Sequence, residues 1–175
     1  ASSWDYPSDI VALKYSPSGT LLWKTVIPIS ILINSVSSFN CRSVLDNSGN
    51  LYIGTAITDG ATLYKLDTNG NLVFTTSSTI NAPWNFSSMR IKDNKIALAT
   101  ASPAPNVAPV FVYDTSGVLL WTAAAEGFTA SDVEIDENLN VYVLSSLENA
   151  VSGSSGVDMR ITKYNSAGTL LWSHD

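Results

Sequence analysis

Few residues in this sequence carry the chemistry of a catalytic centre. The 175 residues include one histidine and one cysteine. His174 stands next to last, so a Ser-His-Asp or Cys-His arrangement would have to use a frayed end. Cys41 is the one thiol and can form no disulfide within the chain. Zinc sites built from several His or Cys ligands cannot be assembled from that inventory. Paired carboxylates remain, with Asp132 and Glu134 nearest to a case, but alternate positions on a strand simply share one face. The segments Asp46-Asn-Ser-Gly-Asn50 and Asp67-Thr-Asn-Gly-Asn71 look like calcium loops, yet lack the repeated carboxylates and closing Glu of such a loop. No catalytic residue, metal or cofactor is therefore expected. The most distinctive binding candidate is Asn81-Ala82-Pro83-Trp84-Asn85-Phe86, whose two aromatics and two amides suit stacking on, and hydrogen-bonding to, a glycan or peptide. The packing alternative is that Trp84 and Phe86 fill a gap between neighbouring sheets. Asn85-Phe86-Ser87 also has the N-glycosylation acceptor pattern.

The elements that must position these residues are short. Hydrophobic residues make up 45% of the chain and charged residues only 14%, which suits many strands joined by polar, uncharged turns. A chain of this length can bury roughly 70% of the surface its unfolded form exposes. A net charge of −6 and nine scattered basic residues argue against a nucleic-acid partner, which needs a clustered basic surface. The longest apolar stretch, from Val26 to Ile33, is broken by Pro28 and falls well short of the roughly 20 residues of a membrane span. The opening Ala1-Ser2-Ser3-Trp4-Asp5 has no leader character, though a mature protein would have lost one.

Four segments superimpose without gaps, running Ala12 to Trp23, Leu63 to Phe74, Val110 to Trp121 and Ile161 to Trp172. Their glycines, Gly19, Gly70, Gly117 and Gly168, recur at intervals of 51, 47 and 51 residues. A second motif interleaves with the first, from Ser43 to Gly54, in a degenerate copy from Arg90 to Ala99, and from Val133 to Leu144. Each reads as strand, tight turn, strand: Asp, Asn or Ser opens the turn and Gly three residues later takes the left-handed conformation of a three-residue hairpin loop. Leu139 replaces that Gly and predicts a strained or altered turn, whereas Asp93-Asn94-Lys95 predicts a shortened one. Apolar residues fall on both faces of several strands, as in Val141 to Leu144, which predicts sheets packed face to face on both sides.

The order of an apolar-Lys-Tyr strand, a turn closing on Gly, Leu-Leu-Trp, a variable stretch and Asp-x-x-Gly-Asn-Leu-Tyr-Ile-Gly resembles the SBBP-type bacterial β-propeller repeat. That family is a relative of quinoprotein-like and WD-type propellers, and the likeness covers most of the chain. It implies an all-β fold, a β-propeller of four-stranded antiparallel blades with about three and a half blades in residues 1–175. The expected limits are an outer hairpin at 9–25 and blades at 41–76, 88–123 and 131–174. The Asp46 and Asp136 hairpins would supply inner strands, and the Gly70, Gly117 and Gly168 hairpins outer ones. Arg42, Arg90, Lys92, Asp132 and Glu134 would then line a central channel, either as a binding constellation or as paired charges in water. Repetition of Trp23, Phe74, Trp121 and Trp172 at equivalent positions favours blade packing over the tryptophan docking motif of quinoprotein dehydrogenases.

Tight turns would gather on one rim and the longer loops, 26–40, 77–87, 102–108, 124–130 and 147–157, on the other, where binding residues more often lie. A ring usually has four to eight blades, so the open edges call for partners: other copies of the chain or the rest of a longer polypeptide. The leading expectation is a non-catalytic extracellular or cell-envelope scaffold, structural or adhesive, that self-assembles through those edges. The alternative is a glycan- or peptide-binding module using the long-loop rim; a third is a fragment of a quinoprotein-like enzyme.

Overall fold

A computed structural model of the chain describes residues 9–29, 40–57, 60–78, 85–101, 108–127, 129–148 and 157–175. Among these residues there is no helix and every strand pairing is antiparallel. Strands β1 (Ile10–Tyr15) and β2 (Leu21–Ile27) form a hairpin by themselves. Strands β3 (Cys41–Leu45), β4 (Leu51–Ile57), β5 (Gly60–Leu66) and β6 (Leu72–Ser78) pair in chain order as a four-stranded meander. The same order recurs in β7 (Asn85–Lys92), β8 (Lys95–Ala101), β9 (Ala108–Asp114) and β10 (Leu119–Ala125). It recurs again in β11 (Thr129–Ile135), β12 (Val141–Glu148), β13 (Val157–Tyr164) and β14 (Leu170–His174). A single residue pair, Thr129 opposite Ala101, joins the last two meanders into one larger sheet. Strands β6, β7, β10 and β11 run slightly past the limits expected from the repeat, because buried Ser78, Phe86, Ala125 and Ala130 are still paired beyond the motif, Phe86 and Ala130 across a register shift.

The apolar cores lie between units and not within them. Ile10, Ala12 and Ile27 of the first hairpin pack with Ile53, Tyr64 and Leu66 of the next unit. Tyr52, Ala61 and Leu63 on the opposite side pack with Phe86, Met89, Ile96, Leu98, Phe111 and Tyr113. Ala97, Ala99, Val110 and Val112 then pack with Ala130, Val133, Val141, Val143 and Tyr164. Successive side chains of a strand point to opposite faces, so β8 sends Ile96 and Leu98 one way and Ala97 and Ala99 the other. This is why the strands read as unbroken apolar runs. Each fully buried Val, Leu or Phe contributes roughly 1.5–3 kcal/mol relative to exposure.

The turns hold to one geometry. The amide of Gly49, Gly70, Gly117 or Gly168 donates to the carbonyl of the residue opening its turn, and these glycines have φ between +83° and +92°. Leu139 makes the same bond to Asp136, so the turn is unaltered and the strain is confined to Leu139 itself, at φ +60°. The degenerate turn is shorter: Lys92 pairs with Lys95 across Asp93 and Asn94, with Asp93 at φ +50°.

Candidate functional site

Two features combine polar groups from different units, one along the first strand of each unit and one at the turns of the hairpins β1–β2, β5–β6, β9–β10 and β13–β14. In the first, β3, β7 and β11 lie side by side, and a bulge interrupts the register of both β7, between Phe86 and Ser88, and β11, between Ala130 and Asp132. A bulge reverses the alternation of faces downstream of it. Phe86 and Met89 consequently enter the same core, and Ala130 and Val133 do likewise. Ser88 and Arg90 are left facing Asp132 and Glu134.

There Arg90 Nε donates to Glu134 at 2.7 Å, and Arg90 Nη2 stands 3.4 Å from Asp132. Ser88 Oγ donates to Asp132. Arg42 Nε on β3 donates to the Ser87 carbonyl at the bulge, at 3.1 Å, and Lys92 meets Glu137 at 2.6 Å. Arg42, Arg90, Asp132 and Glu134 are thus brought into one ladder. The hydrogen bond to Glu134, with the Asp132 charge behind it, pushes the Arg90 pKa up from its ordinary value; Glu137 does the same for Lys92. Donors and carboxylates here are committed to one another across units, a structural chemistry. Because the pairs are largely exposed, each is worth about 0–1 kcal/mol.

The long-loop segment fares differently. Asn81 and Trp84 lie outside the described residues. Asn85 begins β7. Phe86, expected on a binding rim, is only 1% exposed, and a Cβ built on Gly54 would lie 2.6 Å from its ring. Phe86 is therefore corrected from binding candidate to packing residue, seated between β4 and β7. Among the described residues no three His, Cys, Asp or Glu side chains gather as metal ligands would, and no helix is long and apolar enough to cross a membrane.

Among the described residues the second feature recurs between successive hairpins of this set. Trp23 lies against Gly70, Phe74 against Gly117 and Trp121 against Gly168, so close that a Cβ on these glycines would fall 2.7–2.8 Å from the ring. Only Gly combines positive φ with that approach. Beside each ring, one turn carbonyl accepts two side-chain donors from the preceding unit. Thr68 O accepts from Lys14 Nζ at 3.2 Å and Trp23 Nε1 at 3.0 Å. Thr115 O accepts from Lys65 Nζ and the Tyr52 hydroxyl, both at 3.2 Å. Ser166 O accepts from Lys95 Nζ at 2.6 Å and Trp121 Nε1 at 3.2 Å. Phe74 has no N–H, and Tyr52 supplies the missing donor. Val112 occupies the lysine position of its unit, and buried Lys95 on β8 supplies the ammonium instead; burial pulls its pKa down.

Sequence reasoning missed this latch, although Lys five residues before the turn Gly, at Lys14, Lys65 and Lys163, was a visible signal. It also missed Arg160, held between Asp175 and Glu126.

The turn carboxylates are filled from within. Asp136 accepts from the Asn138 and Asn140 amides at 2.9 Å, from Asn140 Nδ2 at 2.8 Å and from the Tyr142 hydroxyl at 3.2 Å. Asp46 repeats the amide set with Ser48 and Asn50, and its carboxylate shares the single Tyr52 hydroxyl proton with Thr115 O, each acceptor 3.2 Å from the hydroxyl oxygen. The Asn140 side chain, with the backbone amides, lowers the Asp136 pKa to about 2. Burial works upward on Asp46, but its hydrogen bonds outweigh it and the pKa is lowered.

No family model matches the chain, and no curated protein matches it. Solved structures do. A protein of unknown function from Bacteroides caccae is 12% identical, over 93% of this chain and 74% of its own, with a TM-score of 0.52. Two variants of Synechocystis apocarotenoid oxygenase are 9% and 12% identical, with TM-scores of 0.51 and 0.54. They match over 93% and 96% of this chain, which spans only 45% and 44% of their length. At such identities the likeness concerns the fold alone, an all-β antiparallel arrangement.

Proposed function

We propose that the repeat units are blades of a β-propeller of the SBBP repeat type, and that the chain is a non-catalytic scaffold of structural or adhesive role. It works outside the cell or in the cell envelope by associating with further units of its own kind. The observation that carries this reading is the outer-hairpin latch, made the same way at each contact between outer hairpins even where the donor residue has changed. Such a contact serves stacking and leaves no group poised for proton transfer or nucleophilic attack. The first-strand ladder supports the same reading, since Arg90 is spent on Asp132 and Glu134. The enzymes among the structural neighbours bear on the fold only. Native mass spectrometry with negative-stain imaging tests the proposal. Ordered assemblies of the native protein that grow with concentration are expected; a monomer at every concentration, with turnover or tight small-molecule binding lost on Arg90→Ala, would overturn it.

A further inference from the structure

The unit contacts have a direction. In the first hairpin, Ile10, Ala12 and Lys14 face the following unit, where Ile10 and Ala12 join its Tyr64 and Leu66 in one core. The repeat equivalents of Ile10, Ala12, Lys14 and Trp23 in the last unit are Met159, Ile161, Lys163 and Trp172. Met159, Ile161 and Trp172 are large apolar side chains left 66%, 45% and 38% exposed. Trp172 is stacked only on its own unit, with ring centroids 6.0 Å from Tyr142 and 5.0 Å from His174, and its Nε1 has no hydrogen-bond partner among the described residues. Lys163 lies over the Tyr142 ring at 4.7 Å and pairs with Asp136 of its own unit at 3.6 Å, with ammonium hydrogens left to donate, as Lys65 lies over Tyr52 at 5.1 Å before reaching Thr115 O.

At the other end, the equivalents of Tyr64 and Leu66 are Leu13 and Tyr15, 47% and 55% exposed. The turn glycine there, Gly19, has the left-handed φ of its counterparts, but among the described residues beyond its chain neighbours no atom lies within 4 Å of where a Cβ would stand. The carbonyl equivalent to Thr68 O is that of Pro17. One end therefore presents every donor and ring of the latch, and the other presents its acceptor and seat.

We infer that the β13–β14 face of one copy docks on the β1–β2 hairpin of a second copy. Trp172 lies on Gly19, Lys163 and Trp172 Nε1 donate to the Pro17 carbonyl, and Met159 and Ile161 pack on Leu13 and Tyr15. The inference rests on the scaffold reading and specifies its interface. The two surfaces differ, so the contact is heterologous and propagates head to tail, into a ring if its rotation closes and a filament if it does not. Such a contact continues the internal junctions, where rings, lysines and turn carbonyls at the equivalent positions already meet within the chain.

Sedimentation velocity across concentration tests it with Leu13→Glu, which spoils one face, and Ile161→Glu, which spoils the other; Trp172→Ala serves as a second variant of that face. All three side chains are substantially exposed in the single chain, so thermal melts should match the native protein. Each variant alone should need at least a tenfold higher concentration to associate. An equimolar mixture of Leu13→Glu and Ile161→Glu should form 1:1 pairs and nothing larger, because one good face of each kind remains. A mixture that stays monomeric while the native protein associates overturns the inference and leaves the scaffold reading standing. Native protein that is monomeric throughout overturns the inference, and if it also shows turnover or tight small-molecule binding lost on Arg90→Ala it overturns the scaffold reading as well.

Discussion

The first-strand ladder and the outer-hairpin latch both join neighbouring units, yet they use the repeat in opposite ways. On the first strands the polar contacts differ from unit to unit: Arg42 reaches a backbone carbonyl, whereas Arg90, at the position of Ser43, faces two carboxylates. On the outer hairpins the contact is held constant even when its residues change, with Tyr52 standing in for an indole N–H and Lys95 for the lysine that Val112 displaced. An exposed ion pair is worth little wherever it is placed, so the ladder is free to vary. A ring pressed on a glycine beside a doubly used carbonyl has few substitutes. The difference locates the constraint on this chain at the turns.

The largest effect that sharpens this contrast lies just upstream of the ladder. Phe86→Ala should cost about 3–5 kcal/mol in a denaturant titration, as for a fully buried aromatic; a loss below about 1 kcal/mol would return Phe86 to the exposed rim. Next come two chemically identical changes at equivalent turns. Gly19→Ala and Gly168→Ala both place a side chain at positive φ, costing about 1–2 kcal/mol, but Gly168→Ala should lose about 1–3 kcal/mol more, the cost of overpacking against Trp121. Leu139→Gly should stabilise by up to about 1 kcal/mol, the relief of left-handed strain less the added entropy of the unfolded chain. In the ladder, Glu134→Gln should cost no more than about 1 kcal/mol, and high salt should remove most of that difference. A separate change is expected in acid. The Asp136 pKa is about 2 in the folded chain against 3.8 for the free group, so its stabilisation is present above about pH 4 and is lost as pH falls towards 2. Asp46, Asp67 and Asp114 are shifted in the same direction. Asp136→Asn should flatten the acid limb of stability against pH by one such contribution.

The turns were legible because glycine at fixed spacing has one physical use, positive φ, and the Asp-to-Gly distance fixes the loop. Both-face packing was legible too, since β4, β8 and β9 have apolar neighbours along their length. The bulges in β7 and β11 were not. A single inserted residue leaves the apolar pattern nearly intact while reversing the faces beyond it, and that placed Phe86 in the core while Arg90 met Asp132. Nor could the sequence reveal that Lys95 does the work of a lysine missing from β9, because the substitution lies on another strand. Arg42, Arg90, Asp132 and Glu134 could be assembled only through the family resemblance; nothing in their spacing alone brings them together.

The stacking of units depends most on one contact type, an aromatic ring of one unit seated on the turn glycine of the next. A double-mutant cycle on Trp121 and Gly168 addresses it directly. Trp121→Ala removes the ring that a new Cβ at position 168 would strike, so Gly168→Ala should cost about 1–3 kcal/mol less in the Trp121→Ala background than in the native one. If the two costs agree within about 0.5 kcal/mol, the ring and the glycine are not in contact, and the stacking of units through their turns is contradicted.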